Sequence, residues 1–224
     1  MHCGEGRAEV RLLRLEIRDL AALRGEERIF SAVTFSLSPG DALVVTGRNG
    51  SGKSTLIRTI AGLLPKDSGA VEVSLNGEKI PRAAEACHYL GHRNAMKREL
   101  SVEENLVFWK RFLGDFEGDN GLEPEAAAEA LGLASILHLP FGYLSAGQQR
   151  RMAMAKLLTA WRPIWLLDEP TAALDVQSEE IFAGLMRAHR EKGGIVIAAT
   201  HQELGLEGAK ELVMTGFEFG ESVY

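Results

Sequence analysis

The sequence predicts an α/β fold: a parallel sheet flanked by helices, with an antiparallel β part at its N-terminus and a helical segment inserted into it. Three observations predict it. The runs Ala42–Thr46, Ile164–Leu167 and Ile195–Thr200 are short and almost wholly apolar, as strands covered on both faces are. Helix-like segments follow the first two, which gives the strand–helix alternation of a parallel sheet. Arg14–Leu20 and Ile29–Leu37 instead alternate apolar with polar residues, the period of half-buried strands.

Taken in order, the glycine and charges of Leu23–Glu27 predict a turn between the two alternating segments. After Ala42–Thr46, a helix over Lys53–Leu64 stops at Pro65, because the residue before proline is disfavoured in helical geometry. Arg93–Tyr143 is rich in Ala, Glu and Leu and reads as largely helical. Within it Ser101-Val102-Glu103-Glu104 has the capping-box spacing that starts a helix. The glycines and acids of Phe116–Glu123 predict a surface loop. A helix from about Gln148, the apolar strand at Ile164, a helix over Gln177–Lys192 and the strand at Ile195 complete the pattern. The chain therefore reads as a single domain, residues 1–224, with a helical subdomain at about 93–150.

Composition narrows the function. The 224 residues are 46% hydrophobic and 25% charged, ordinary for a globular chain. A formal net charge of −6 argues against a nucleic-acid binder, since phosphate backbones select basic surfaces. The two cysteines, Cys3 and Cys87, are too few for a disulfide framework and fit a reducing compartment. No apolar run approaches the roughly 20 residues of a membrane span. The charged opening MHCGEGRAEVRLLRLEIRD has no apolar core of the kind a signal peptide needs. Any membrane role must come through a partner.

Chemistry enters at Gly47-Arg48-Asn49-Gly50-Ser51-Gly52-Lys53-Ser54. Its G-x-x-x-x-G-K-[ST] pattern lies between a predicted strand and a predicted helix, the context that a phosphate loop requires. The glycines let successive N–H groups curl around phosphate oxygens, and the helix N-terminus turns its positive end to the same anion. Lys53 reaches the β- and γ-phosphates, and the Ser54 hydroxyl serves Mg²⁺. Ile164-Trp165-Leu166-Leu167-Asp168-Glu169 supplies a buried strand ending in two acids. Asp168 is suited to hold Mg²⁺, and Glu169, pointing differently, to polarise the attacking water.

With Leu144-Ser145-Ala146-Gly147-Gln148 ahead of that strand, the chain from about Leu15 to His201 resembles the nucleotide-binding subunits of ATP-binding-cassette (ABC) transporters, a P-loop NTPase family. The resemblance implies an ATPase using ATP and Mg²⁺, with Gly47 through Ser54 and Thr55 at the nucleotide. It implies an ATP-dependent head-to-tail homodimer, in which Ser145, Gly147 and Gln148 reach the nucleotide held by the other subunit and Asp175, in Ala172-Ala173-Leu174-Asp175, crosses the interface. His201 matches the family histidine that contacts the γ-phosphate. Arg24 stands where the family stacks adenine on an aromatic residue, and a guanidinium can also stack on a base. Phe30 is nearby but is expected in the core. His92 stands where many members have a glutamine that touches the metal or its water and senses the membrane partner.

Cys87-His88-Tyr89-Leu90-Gly91-His92-Arg93-Asn94-Ala95-Met96-Lys97, with Glu99-Leu100-Ser101-Val102 beyond it, is most similar to one ABC subfamily, the ATP-binding subunits of cytochrome c biogenesis (Ccm-type) haem exporters. That resemblance implies permease subunits in the bacterial inner membrane, a peripheral location on its cytoplasmic face, an indirect link to haem, and partner docking around Arg93–Trp109. His88 reads as incidental, a loop histidine rather than a haem ligand. Three alternatives share parts of this pattern: the ATPase of another ABC exporter, a soluble ABC-type assembly scaffold, and a P-loop kinase, the last leaving Leu144–Gln148 without a role.

Overall fold

The computed structural model describes residues 12–118, 121–172 and 174–216. The expectations for residues 1–11, Cys3 among them, for Asp119 and Asn120 of the expected surface loop, and for Ala173 lie outside the described residues.

The chain opens with β1 (Leu13–Arg24) and β2 (Glu27–Leu37), paired antiparallel through the turn at Gly25. Leu13, Leu15 and Ile17 of β1 face the core, as do Leu20 and Ala22. The alternation skips one residue at Asp19, where φ is 46° and the register with β2 shifts. This is the kink of a β-bulge. Next come β3 (Ala42–Thr46), α1 (Lys53–Ile60), β4 (Ser68–Leu75), β5 (Glu78–Ile80) and β6 (Cys87–Leu90). Then follow α2 (Val102–Leu113), α3 (Pro124–Ala130), α4 (Ala146–Thr159), β7 (Ile164–Asp168), α5 (Val176–Glu191), β8 (Ile195–Ala199) and β9 (Lys210–Val213). Two sheets result: an antiparallel one ordered β2-β1-β4-β5 and a parallel one ordered β6-β7-β8-β3-β9.

The continuous apolar runs have a simple cause. Ile164 and Leu166 of β7, with Ile195 and Ile197 of β8, point into a core shared with α1 and the antiparallel sheet. Their neighbours Trp165, Leu167, Val196 and Ala198 point into a second core with α2 to α5. Both faces of the parallel sheet are covered, so every position along these strands is apolar except Asp168 at the C-terminal end of β7.

Several expectations are corrected. The first helix ends at Ile60, not Leu64, because Gly62 turns left-handed at φ 70° and the N–H of Leu63 goes back to the Arg58 carbonyl. The last helix of the inserted segment starts at Ala146, since the Ser145 side chain caps it. Residues 91–100 are loop rather than helix, while the capping box at Ser101 and Glu104 is formed. Phe116 lies in the expected loop between α2 and α3, but its side chain does not face solvent. It is buried in the first core, with the Arg162 guanidinium 5.5 Å from its ring. β4, β5, β6 and β9 carry no signal that the sequence reading used.

His88 is the largest correction. It lies on β6, is 2% exposed, and its Nε2–H donates to the Ala160 carbonyl at 2.6 Å. His189 on α5 is equally buried, donating from Nε2 to the Pro163 carbonyl and stacked on Trp165. Burial pushes both imidazoles down to about 3, so both are neutral. An unfolded chain takes up protons at these histidines below about pH 6.5, whereas the folded chain does so only near 3. Stability is therefore full above 6.5 and falls with pH between 6.5 and 3. From pH 6.5 to 5 each histidine should cost about 2 kcal/mol. Urea midpoints at pH 7 and pH 5 check this: the drop should be roughly halved in His189→Phe, and equal midpoints for the parent would sink it.

Candidate functional site

The phosphate loop joins β3 to α1. Helix α1 begins after Gly52, whose φ is 99° and where a Cβ would meet the Ile29 side chain at 2.8 Å. Only glycine permits that approach. Lys53, 7% exposed, folds its ammonium back over the loop and donates to the carbonyls of Gly47 at 2.6 Å and Arg48 at 3.1 Å. Its Nζ also lies 3.0 Å from Nε2 of His201, which in turn is 3.0 Å from Oδ1 of Asn49. The second residue after β8, His201, is thus already joined to the loop.

One helical residue on, Ser54 Oγ–H donates to Oδ1 of Asp168 at 2.7 Å. Asp168 ends β7, is 3% exposed, and has its other oxygen fixed by Tyr89 Oη–H at 3.4 Å and Arg58 Nη2 at 3.5 Å. Arg58 also donates from Nε to Tyr89 Oη at 3.1 Å, and that bond heads the causes raising its basicity. A hydroxyl and a carboxylate oxygen in contact are the hard-oxygen pair that Mg²⁺ accepts alongside water and phosphate. Among the described residues no cluster of three or more His, Cys, Asp or Glu could hold a metal by itself. This donor set therefore suits an ion that takes its remaining ligands from substrate and water.

Glu169 is half-buried and adopts φ 47°, left-handed for a residue with a side chain. Its N–H donates to the Ala199 carbonyl at 2.9 Å. Glu169 lines the same hollow as Asp168. Beyond it, Thr171 Oγ1–H donates to Gln202 Oε1 at 2.5 Å, tying this loop to the one that carries His201.

These elements enclose a pocket of about 440 Å³. It is lined by Arg24, Ile29, Asn49, Gly50, Gly52, Lys53, Ser54, Thr55, Arg58, His92, Asp168 and Glu169. Arg24 arrives on the last residue of β1 and His92 on the loop after β6. Gly91 before it has no room for a side chain, since a Cβ would sit 2.6 Å from the Tyr89 ring. Of the other expected residues, Gly47 and His201 touch the pocket through Lys53, and Ser51 lies within the loop. Ser145, Gly147, Gln148 and Asp175 line no part of it. Ser145 and Gln148 form a capping box at the start of α4. Asp175 caps α5 by accepting from the Ser178 N–H at 2.8 Å, and the Ser178 side chain first, with this N–H second, holds its carboxyl below the usual range. Phe30 is buried in the core at 4% exposure. The sequence alone assigns no role to Arg58, Tyr89 or Arg150. Only Arg58, one turn after Ser54 on the same helix face, left a signal that could have found it.

The ABC transporter family profile matches residues 30–172. The cytochrome c biogenesis ATP-binding export protein CcmA of Rhizobium meliloti is 62% identical over 205 residues, 92% of this chain and 99% of that protein. Its counterpart in Agrobacterium fabrum is 62% identical over 204 residues, covering 91% and 96%. Among solved structures, an ABC transporter ATP-binding protein of Pyrococcus furiosus superposes with a TM-score of 0.73 at 25% identity, covering 90% of this chain and 97% of that one. The chain therefore belongs to the ABC transporter family, as an ATP-hydrolysing subunit of the cytochrome c biogenesis ATP-binding export type.

Proposed function

We propose that this chain hydrolyses MgATP to power haem export, or release of a haem chaperone, in cytochrome c biogenesis. The observation that supports the chemistry is the convergence of Lys53, Ser54, Asp168, Glu169 and His92 on one pocket. The cytochrome c assignment draws on the names of the 62% identical relatives.

In this reading Lys53 exchanges its two carbonyl partners for β- and γ-phosphate oxygens. Ser54 and Asp168 hold Mg²⁺, which when bound neutralises charge on those phosphates. Glu169 takes the proton of the attacking water, and His201 orients that water at the γ-phosphate. His92 replaces the usual switch glutamine, and Arg24 replaces the aromatic platform for adenine.

Ser145, Gly147, Gln148 and Asp175, which stand apart from the pocket, serve the nucleotide of a second copy in a head-to-tail dimer. The helical subdomain of residues 93–150 meets the permease subunits. On α2 the rings of Phe108 and Phe112 are 38% and 68% exposed and stack 5.8 Å apart, an apolar face suited to a membrane protein's helix. Among the described residues no helix is long and apolar enough to cross a membrane. The subunit would be held at the cytoplasmic face of the inner membrane by those partners.

The test is a haem stain for covalently haemylated c-type cytochromes in cells whose only copy carries Glu169→Gln. Staining should vanish while other haem proteins persist. Normal staining would reassign the subunit to another ABC transporter or to the soluble scaffold class.

A further inference from the structure

Arg150 sits on the second turn of α4, five residues past Ser145, and is 5% exposed. Its guanidinium donates from Nη1 to the carbonyl of Gly91 at 2.7 Å and from Nε to that of Pro170 at 2.8 Å. Nη2 donates to the carbonyl of Glu169 at 2.6 Å and reaches that of Asp168 at 3.5 Å. Among the described residues no carboxylate forms an ion pair with it. Its hydrogen-bond partners are all neutral carbonyls, and a buried cation has a high desolvation cost: burial lowers its basicity, offset in part by the negative charges of Asp168 and Glu169 nearby. The cost is met by geometry: the planar fork presents five N–H groups in fixed directions, and here they span two separate loops and a helix.

Gly91 precedes His92, and both His92 and Glu169 line the nucleotide pocket. The third member is the start of α4, which carries Ser145, Gly147 and Gln148. Six residues further along α4, Lys156 donates to the Tyr89 carbonyl at 3.3 Å, a second tie from the same helix to the end of β6. Glu169 is fixed on one side by its N–H bond to Ala199, and Arg150 fixes the other side through its carbonyl.

We propose that Arg150 is a positioning residue that makes the His92 loop, the backbone of Glu169 and the N-terminus of α4 move as one body. A displacement of α4 or of the His92 loop is thereby carried to the carboxylate of Glu169. The proposal rests on the reading of Glu169 as the base that activates water. No atom of Arg150 lines the pocket, so it acts on the rate and leaves nucleotide binding to the phosphate loop.

The experiment uses the subunit assembled with its membrane partners and compares Arg150→Lys and Arg150→Gln with the parent. Lysine keeps the charge but lacks the fork, and glutamine keeps two N–H donors without charge. Both should bind a fluorescent ATP analogue within about twofold of the parent. Both should lower kcat by on the order of ten- to a hundredfold, the effect of misplacing a reacting group by about 1 Å. Adding His92→Ala should then reduce kcat by less than it does in the parent, because the linkage is already broken. Parental kcat in both variants would overturn the proposal. So would equal losses of affinity and kcat with a lowered melting temperature, the mark of general damage to the fold. Glu169→Gln in the same complex separates the two layers. If it is inactive while the Arg150 variants run at the parental rate, only the linkage fails; if it runs at the parental rate, the base reading fails and the linkage with it.

Discussion

Glu169→Gln should bind MgATP as the parent does and hydrolyse it on the order of 10² to 10⁴ times more slowly, the usual range for loss of a general base. Glutamine has the same shape as glutamate and the same Cβ, so the left-handed backbone at φ 47° is no harder to hold. The N–H bond to Ala199 and the carbonyl bond from Arg150 belong to the main chain and survive the change. What disappears is the ability to accept a proton. With chemistry blocked and binding intact, the head-to-tail dimer should accumulate in the presence of ATP. Light scattering and single-turnover kinetics read both effects. Parental turnover would show that another group takes the proton.

Lys53→Ala should do the reverse, weakening ATP before any chemistry is reached. The ammonium is the buried cation of the phosphate loop, and its partners in the present structure are the carbonyls of Gly47 and Arg48 and the ring of His201. A charge-assisted hydrogen bond contributes about 1.5–3 kcal/mol, which corresponds to roughly ten- to 150-fold in affinity. The fold should persist, since α1 starts from the backbone geometry of Gly52 and not from the lysine side chain. Titration with a fluorescent nucleotide checks it, and an unchanged dissociation constant would remove Lys53 from the phosphate site. The two variants together separate binding from hydrolysis, since one should keep what the other loses.

Much of this architecture could be read in the sequence because it depends on neighbours in the chain. β3, β7 and β8 are covered on both faces and had to be apolar up to the last residues of β3 and β7, Thr46 and Asp168. The phosphate loop is contiguous, and the cap at Ser101 needs only Glu104 three residues later. The failures have the opposite cause. β6 was hidden because His88 looks polar, yet the Ala160 carbonyl, 72 residues away, satisfies it and burial keeps it neutral. β9 is an edge strand with mostly exposed side chains, so it has no apolar run to betray it. The end of α1 turned on the left-handed step at Gly62, which a search for the next proline overlooks.

The site divides along the same line. Gly47 to Ser54, Asp168 and Glu169 announce themselves by pattern. Arg24 and His92 came from comparison with a family, and the fold brings both to the pocket wall. Tyr89 and Arg150 acquire meaning only through distant partners. For Arg150 those partners are main-chain carbonyls, which every residue carries and no motif can display.

Of the three tryptophans, Trp161 and Trp165 flank the ring of His189, which stays uncharged down to acidic pH. Their emission is therefore a steady background near neutrality. Trp109 differs. Its ring lies 4.6 Å beneath the ammonium of Lys156, and its indole N–H donates to the carbonyl of Ala95, in the loop that begins at His92. The first contact joins α2 to α4, and the second joins α2 to that loop. Trp109 should therefore act as a built-in optical reporter: a displacement of the loop that breaks its bond to Ala95 is expected to change its emission against that background, with no dye attached.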